Sequence, residues 1–213
     1  MEKKQNGMVK VTYSLGEFLI NLMKLQAFWL FGTLKGGIIF GIFPATATVM
    51  QAFFVLFEKK ELTPHLFPWF NEQYKHNFKR SNILGFIENA VLAVLWIDVR
   101  VAGQLLKNQA AHLALLVFFV FALLVGLFLF PAFLRYELKT FNYFKQAFFI
   151  VISSFVETLA MVIGIAVVTV LSTVFPILLL VALIPLFLFP ISWFSLQAMR
   201  KIERNNLAQE IAE

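Results

Sequence analysis

The chain has 213 residues, of which 60% are apolar and only 14% are charged, and it carries a formal net charge of +6 and no cysteine. Soluble domains are about 45 to 50% apolar and about 25% charged, so this composition excludes an ordinary soluble globular protein. The lack of cysteine also excludes disulfides, thiolate metal sites and thiol nucleophiles.

Long apolar runs predict an all-α protein, a single integral membrane domain over residues 1–213 with six spans. A hydrocarbon core of about 30 Å needs about 20 residues of helix. The run over residues 15–57 is about twice that length, and the glycine-rich residues 32–37 provide the predicted turn. Pro176 divides the last long run in the same way. The predicted spans are 15–34, 37–57, 83–103, 112–134, 147–171 and 176–198.

The second predicted span carries small residues at helical spacing and a proline. The small residues predict a face on which a neighbouring helix packs closely, and Pro44 predicts a bend near Gly41. The aromatic residues Phe43, Phe53, Phe54 and Phe57 are expected to face lipid instead. The predicted packing and kink residues are Gly37, Gly41, Pro44, Ala45, Thr48 and Ala52.

Residues 68–80, between the second and third spans, predict an amphipathic helix on the cytoplasmic membrane surface. Aromatic residues recur every four positions, and two lysines lie at matching spacing on a neighbouring face. The helix would either anchor the bundle or dock a cytoplasmic partner, and the basic, aromatic residues 135–149 offer a second such surface. The predicted docking residues are Trp69, Phe70, Tyr74, Lys75, Phe78 and Lys79.

The positions of lysine and arginine predict the orientation of the chain. Fourteen of the 18 cations lie on the side that holds both termini, and the positive-inside rule places that side in the cytoplasm. The opposite side holds Lys35, Lys107 and Arg100. Membrane orientation therefore explains the net charge, and the expected partner is a lipid bilayer and not a nucleic acid. The fourteen are Lys3, Lys4, Lys10, Lys59, Lys60, Lys75, Lys79, Arg80, Arg135, Lys139, Lys145, Arg200, Lys201 and Arg204.

Four polar residues fall inside predicted spans. An ionisable group there is costly, so it is expected either to be paired or to have a functional role. They are Lys24, Glu88, Asn89 and Glu157. One interpretation pairs Lys24 with Glu88 or Glu157 to hold helices together. The alternative is that these residues line a path for a proton or a small solute, in a stand-alone channel or secondary carrier.

Motifs for membrane enzymes are absent from the sequence. It contains no H-E-x-x-H zinc motif, no G-x-S-x-G nucleophile elbow and no Walker A sequence, and Asp98 is its single aspartate. The three histidines are isolated from one another. We therefore expect no catalytic residue, no metal and no cofactor.

The stretch GIFPATATVMQAFFVLFEKKE, residues 41–61, resembles the YesL-type family of bacterial integral membrane proteins. The matching features are Pro44 to Ala47, the basic edge at Lys59 and Lys60, and the aromatic segment from Phe70 to Lys79. The chain departs from the family in having Phe43 where glycine usually precedes the proline. The resemblance implies a multi-pass protein of the bacterial plasma membrane, an accessory or assembly component of carbohydrate (ABC-type) uptake with sugar permease components as partners. It carries over no catalytic residues.

Overall fold

The computed structural model describes residues 2–59, 62, 65–104 and 109–212, with the side chains of 2–15, 179–180 and 210–212 left out. Two cations used to predict topology, Lys60 and Lys107, lie outside the described residues, as do the side chains of Lys3, Lys4 and Lys10.

The described residues form seven α-helices. They are α1 (Glu2–Lys35), α2 (Ile42–Lys59), α3 (Leu66–Gln104), α4 (Gln109–Arg135), α5 (Thr140–Ser153), α6 (Phe155–Val174) and α7 (Ile177–Ala212). Four segments are long and apolar enough to cross a membrane: Leu66–Gln104, Gln109–Arg135, Phe155–Val174 and Val181–Gln209. The protein is therefore an α-helical membrane protein. The first two predicted spans fall on α1 and α2, which are not among these four.

The α1–α2 turn lies at residues 36–41, later than predicted. Gly37 and Ile38 both have positive φ, at 71° and 66°, and the Ile38 N–H donates to the Thr33 carbonyl at 2.9 Å. A Cβ on Gly41 would lie 2.2 Å from that carbonyl oxygen, so glycine is needed where α1 and α2 meet. Pro44 lies in the first turn of α2, where its missing N–H is tolerated. The bend predicted at Gly41 within a span is therefore wrong, because the chain reverses direction there.

α3 joins two predicted elements, the surface segment and the third span, into one helix. Its first half, residues 66–82, lies antiparallel to α2. The Gln51 Nε2 donates to Gln73 Oε1 at 3.0 Å, and Asn82 Nδ2 donates to the Phe40 carbonyl at 3.0 Å. Phe70 and Tyr74 are buried, at 1% and 3% exposure. The prediction that these aromatic rings lie in the headgroup layer is wrong, because they pack within the protein.

Lys35, at the end of α1, hydrogen-bonds Asn71 in the first half of α3. Its ammonium also lies 5.5 Å from the centre of the Tyr74 ring. The sequence predicted that the membrane separates Lys35 from residues 68–80. The structure places them together, so that assignment of sides is wrong.

The second half of α3, residues 83–104, pairs antiparallel with α4. Glu88 faces Gly126, and farther along the pair the His112 Nδ1 lies 3.1 Å from the Val99 carbonyl oxygen. Apolar side chains on the outer surfaces, among them Val94 and Phe118, are exposed. Such surfaces are suited to lipid contact.

The predicted fifth span, 147–171, is divided between two helices. α5 ends at Ser153, and Ser154 adopts a non-helical conformation with φ −122° and ψ 50° before α6 begins. The last predicted span lies in α7, which is kinked at Ala182 and contains two prolines, Pro185 and Pro190. Just past this kink the Ile184 N–H donates to Gln26 Oε1 of α1 at 3.1 Å, so a side chain replaces a helical acceptor.

The core between α1, α2 and α7 is aromatic. The Phe53 ring packs edge-on against Phe189, with centroids 5.7 Å apart, and Phe18 packs against the same ring at 5.3 Å. Phe53 and Phe54 are 0% and 7% exposed. Their predicted exposure to lipid is therefore wrong, because α7 covers Phe53 and both rings lie in the core.

Candidate functional site

A polar cavity of about 220 Å³ lies where α2, α3 and the α4–α5 connection meet. It is bounded by amides, by cations and by the aromatic residues that follow α4. Because α4 is an apolar candidate span that ends at Arg135, the cavity lies at one end of that span. The lining residues include Gln51, Gln73, His76, Asn77, Arg80, Arg135, Tyr136, Glu137 and Tyr143.

A chain of three amides forms one wall of the cavity. Asn77 Nδ2 donates to Gln51 Oε1 at 3.0 Å, and Gln51 Nε2 donates to Gln73 Oε1 at 3.0 Å. Residues 73 and 77 are four apart, so both point from one face of α3 towards α2. Each bond runs in the same direction, which leaves the Gln73 amide nitrogen as the free donor at the end of the chain.

The α4–α5 connection forms a second wall and is held by Tyr143. The Tyr143 hydroxyl donates to the Tyr136 carbonyl at 3.1 Å and accepts from the Leu138 N–H at 3.0 Å. Burial raises the pKa of Tyr136 to about 12, because the phenolate would lose its hydration. Tyr136 therefore stays neutral at physiological pH.

Arg135 fixes the cavity to the rest of the bundle. It makes two bonds to Glu203 of α7, at 2.9 and 2.8 Å, and a third to Glu58 of α2 at 3.0 Å. Arg200 of α7 also reaches Glu58, at 3.4 Å. These charge-assisted bonds join the ends of α2 and α4 to α7.

The predicted intramembrane charges do not come together. Glu157 pairs with Lys201 of α7 at 2.8 Å, and Lys24 is exposed on α1. Glu88 is 8% exposed, and its Oε1 has no hydrogen-bond partner among the described residues. The predicted pairing of Lys24 with either carboxylate is therefore wrong. Asn89 is exposed and donates to the Gly85 carbonyl of its own helix at 2.8 Å.

The predicted packing and kink residues lie in the α1–α2 turn and in α2. Gly41, Pro44, Ala45, Thr48 and Ala52 are buried, and the Thr48 hydroxyl donates to the Pro44 carbonyl at 2.7 Å. Gly37 is exposed in the turn. A Cβ added to Gly32 of α1 would lie 3.2 Å from Ala45 Cβ, so α1 is the helix that approaches this face.

The predicted docking residues divide into two groups. The aromatic ones face inwards: Phe70 and Tyr74 are buried, and Trp69 and Phe78 are half-buried. Lys75 and Lys79 are exposed. Sequence reasoning missed the amide chain and the cavity. The spacing of the two amides on α3, opposite a lone glutamine in α2, was the available signal.

The first comparison concerns the family. A family model described as "Protein of unknown function, DUF624" matches residues 22–99. The protein described as "Uncharacterized protein YesL" of Bacillus subtilis (strain 168) is 30% identical over 149 residues, which cover 69% of each chain. The chain belongs to the YesL family. The resemblance seen in the sequence is thus confirmed.

A second relative of this YesL-family chain is described as "Uncharacterized protein YteU", also of Bacillus subtilis (strain 168). It is 26% identical over 148 residues, 68% of this chain and 65% of the relative. No solved structure matches. The family match over residues 22–99 contains the whole amide chain but ends before Arg135.

Proposed function

We propose that the protein is a multi-pass accessory or assembly component of a carbohydrate (ABC-type) uptake system in the bacterial plasma membrane, with no catalytic activity and no cofactor. The association with sugar uptake comes from the family resemblance. The observation that carries the proposal is the exposed basic side of the first half of α3, which offers a docking surface for a permease component.

That surface is well suited to docking because the helix beneath it is already ordered. Lys75 and Lys79 are exposed, while the opposite side of the same helix is fixed by buried Phe70 and by the amide chain of Asn77. A partner would therefore meet a preformed helix and would lose little conformational entropy in ordering it. The two cations favour an acidic partner surface, which would speed association and set its orientation.

Co-purification from native bacterial membranes tests the proposal. Full-length tagged protein should retain a permease or ATPase subunit in stoichiometric amount. The Lys75→Glu, Lys79→Glu double variant should lose it, because repulsion replaces attraction. The control is Lys59→Glu with Arg204→Glu, which changes the charge by the same amount at two other exposed cations. Absence of any partner, together with solute flux through the protein in liposomes, would replace this proposal with the channel or carrier.

For the topology, we propose that both termini lie in the cytoplasm, because an even number of spans puts them on one side and the lysine and arginine bias makes that side cytoplasmic. We propose that the number is four, with the α1–α2 hairpin packed beside the first half of α3 on the cytoplasmic side, because Lys35 contacts Asn71. The alternative is the six spans that the sequence predicts, in which α1 and α2 both cross.

Cysteine labelling separates the two topologies, because the chain has no cysteine of its own. A membrane-impermeant maleimide added to intact cells should label Ile39→Cys in the turn if there are six spans, and should not if there are four. Asn206→Cys, near the end of α7, should react only after permeabilisation in both cases. Labelling of Asn206→Cys in intact cells would overturn the orientation.

A further inference from the structure

We propose that the polar cavity between α2, α3 and the α4–α5 connection binds a phosphodiester, the monoanionic group carried by a glycerophospholipid head. The cavity is distinct from the exposed Lys75 and Lys79 surface, and it holds a ligand whether or not the protein docks a permease. Its volume of about 220 Å³ suits a headgroup and not a whole lipid.

The lining supplies hydrogen-bond donors of the type that phosphate oxygens need. Arg80 lines the cavity and makes no ion pair within the part of the chain that the structure describes. The Gln73 amide nitrogen ends the amide chain and donates to no described residue. His76 adds an imidazole to the same lining. A guanidinium, an amide and an imidazole around one space form an oxyanion site.

The charge balance favours a monoanion over a dianion. Arg135 also lines the cavity, but Glu203 and Glu58 already neutralise it. Among the described residues, Arg80 is thus the lining arginine that makes no ion pair, and the carboxylate of Glu137 belongs to the same lining. Inorganic phosphate, with more than one negative charge at neutral pH, would be repelled by Glu137. A phosphodiester carries one negative charge, so Glu137 repels it less, and Arg80 can pair with it.

The position of the cavity favours a lipid as the source. Arg135 is the last residue of α4, a candidate span, and Arg80 lies three residues before Ile83, where the apolar second half of α3 begins. Both arginines line one cavity, so it lies where two adjacent apolar helix segments end. That is the depth at which lipid phosphates occur, and basic pockets between membrane helices on the cytoplasmic side bind lipid heads.

The test uses the full-length protein in detergent micelles, with added phosphatidylglycerol as the probe. Bound lipid is counted by native mass spectrometry, and the dissociation constant is taken from the rise in Tm with lipid concentration. The Arg80→Gln variant should bind about ten-fold more weakly, because one charge-assisted bond is lost. The control is Lys79→Gln, which removes the neighbouring exposed cation outside the cavity and should bind like the wild type.

A second variant, Gln73→Leu, removes the amide donor without changing the charge, and should also weaken binding. Soluble glycerophosphoglycerol and inorganic phosphate are titrated in parallel. If the soluble diester binds as tightly as the lipid, with the same dependence on Arg80, the phosphodiester site stands and the acyl chains are not part of the ligand. Equal weakening by Arg80→Gln and Lys79→Gln, stronger binding of inorganic phosphate, or no bound lipid on the wild type would overturn the proposal.

Discussion

The two halves of α3 belong to one helix but have opposite environments. The first half, residues 66–82, is packed against α1 and α2 through buried aromatic rings and a chain of amides, and its outer side carries cations. The second half, residues 83–104, contacts mainly α4 and exposes apolar side chains such as Val94 and Trp96. The comparison shows that hydrophobicity alone does not indicate which part of a membrane protein is buried by its own chain.

The physical reason is that lipid and protein interior are similarly apolar. Between apolar helices in a bilayer, close packing and hydrogen bonds decide association, since little hydrophobic driving force remains. The first half of α3 has both, through Gly32 against the Tyr74 ring and through Asn77 and Gln51. The second half also has close approaches, Gly85 against the Phe43 ring, Glu88 against Gly126 and Gly103 against His112, but no chain of amides among its described residues. We therefore expect substitutions to be more costly around the first half.

The largest loss of stability is expected for Gly41→Ala. This change disrupts the turn of the α1–α2 hairpin, which covers the first half of α3. The new Cβ would lie 2.2 Å from the Thr33 carbonyl oxygen, a backbone atom that cannot move alone. The cost should be about 3 kcal/mol or more, since overpacking against backbone displaces both helices. Thermal unfolding in detergent measures it. The control is Gly16→Ala in α1, where nothing lies within 4 Å of a Cβ; equal loss in both variants would contradict the packing argument.

A matched pair of asparagines then compares the two halves directly. Asn77→Leu removes the donor to half-buried Gln51 Oε1 and should cost about 1.5 kcal/mol, the net contribution of a good hydrogen bond. Asn89→Leu in the second half removes only an exposed bond to its own helix and should leave the Tm unchanged or higher. Denaturation of both variants in the same detergent gives the difference. If Asn89→Leu were as destabilising as Asn77→Leu, the contrast between the halves would be wrong.

A smaller effect is expected where Gly126 of α4 approaches Glu88 in the second half. A Cβ on Gly126 would lie 2.6 Å from Glu88 Oε1, and the carboxylate can shift at a cost of about 1 kcal/mol. In the Glu88→Ala variant, the same Gly126→Ala change should cost no stability, because the carboxylate atoms that the new Cβ would touch are gone. Unfolding of the two single variants and the double variant measures this coupling. An identical cost of Gly126→Ala in both backgrounds would show that another neighbour is responsible.

The smallest effect is expected for Lys75→Gln on the outer side of the first half. The side chain is exposed and makes no ion pair within the described residues, so stability should stay within experimental error. The Tm in detergent checks this. A clear fall would mean that the basic surface is covered within the protein and is not available to a partner.

The sequence predicted the helical class, the family and most helix positions, because runs of apolar residues of about 20 residues have few alternatives in a bilayer. The predictions from sequence were wrong where contacts between distant parts of the chain determine whether a side chain is buried or paired. The sequence around Phe70 and Tyr74 is the same whether they face lipid heads or α1, and buried Phe53 cannot be told from a lipid-facing residue without its contact to α7. The partner of Glu157 is Lys201, 44 residues away, and nothing local to either residue indicates that pairing.

The cavity could be predicted only in part. The four-residue spacing of Gln73 and Asn77 indicates a polar helix face, and the length of α3 follows from the absence of proline or glycine between Trp69 and Leu84. The sequence does not indicate that Arg135 and Tyr143 lie beside that helix face, since their position depends on how α4 pairs with α3.

The continuity of α3 has a mechanical consequence. Its 39 residues form a rod of about 58 Å at about 1.5 Å per residue, with the basic surface at one end and the lipid-facing segment at the other. A rod of that length tilted by about 10° about its midpoint moves each end by about 5 Å. A partner that displaced Lys75 and Lys79 would therefore also displace the far end of α3, together with α4, within the bilayer.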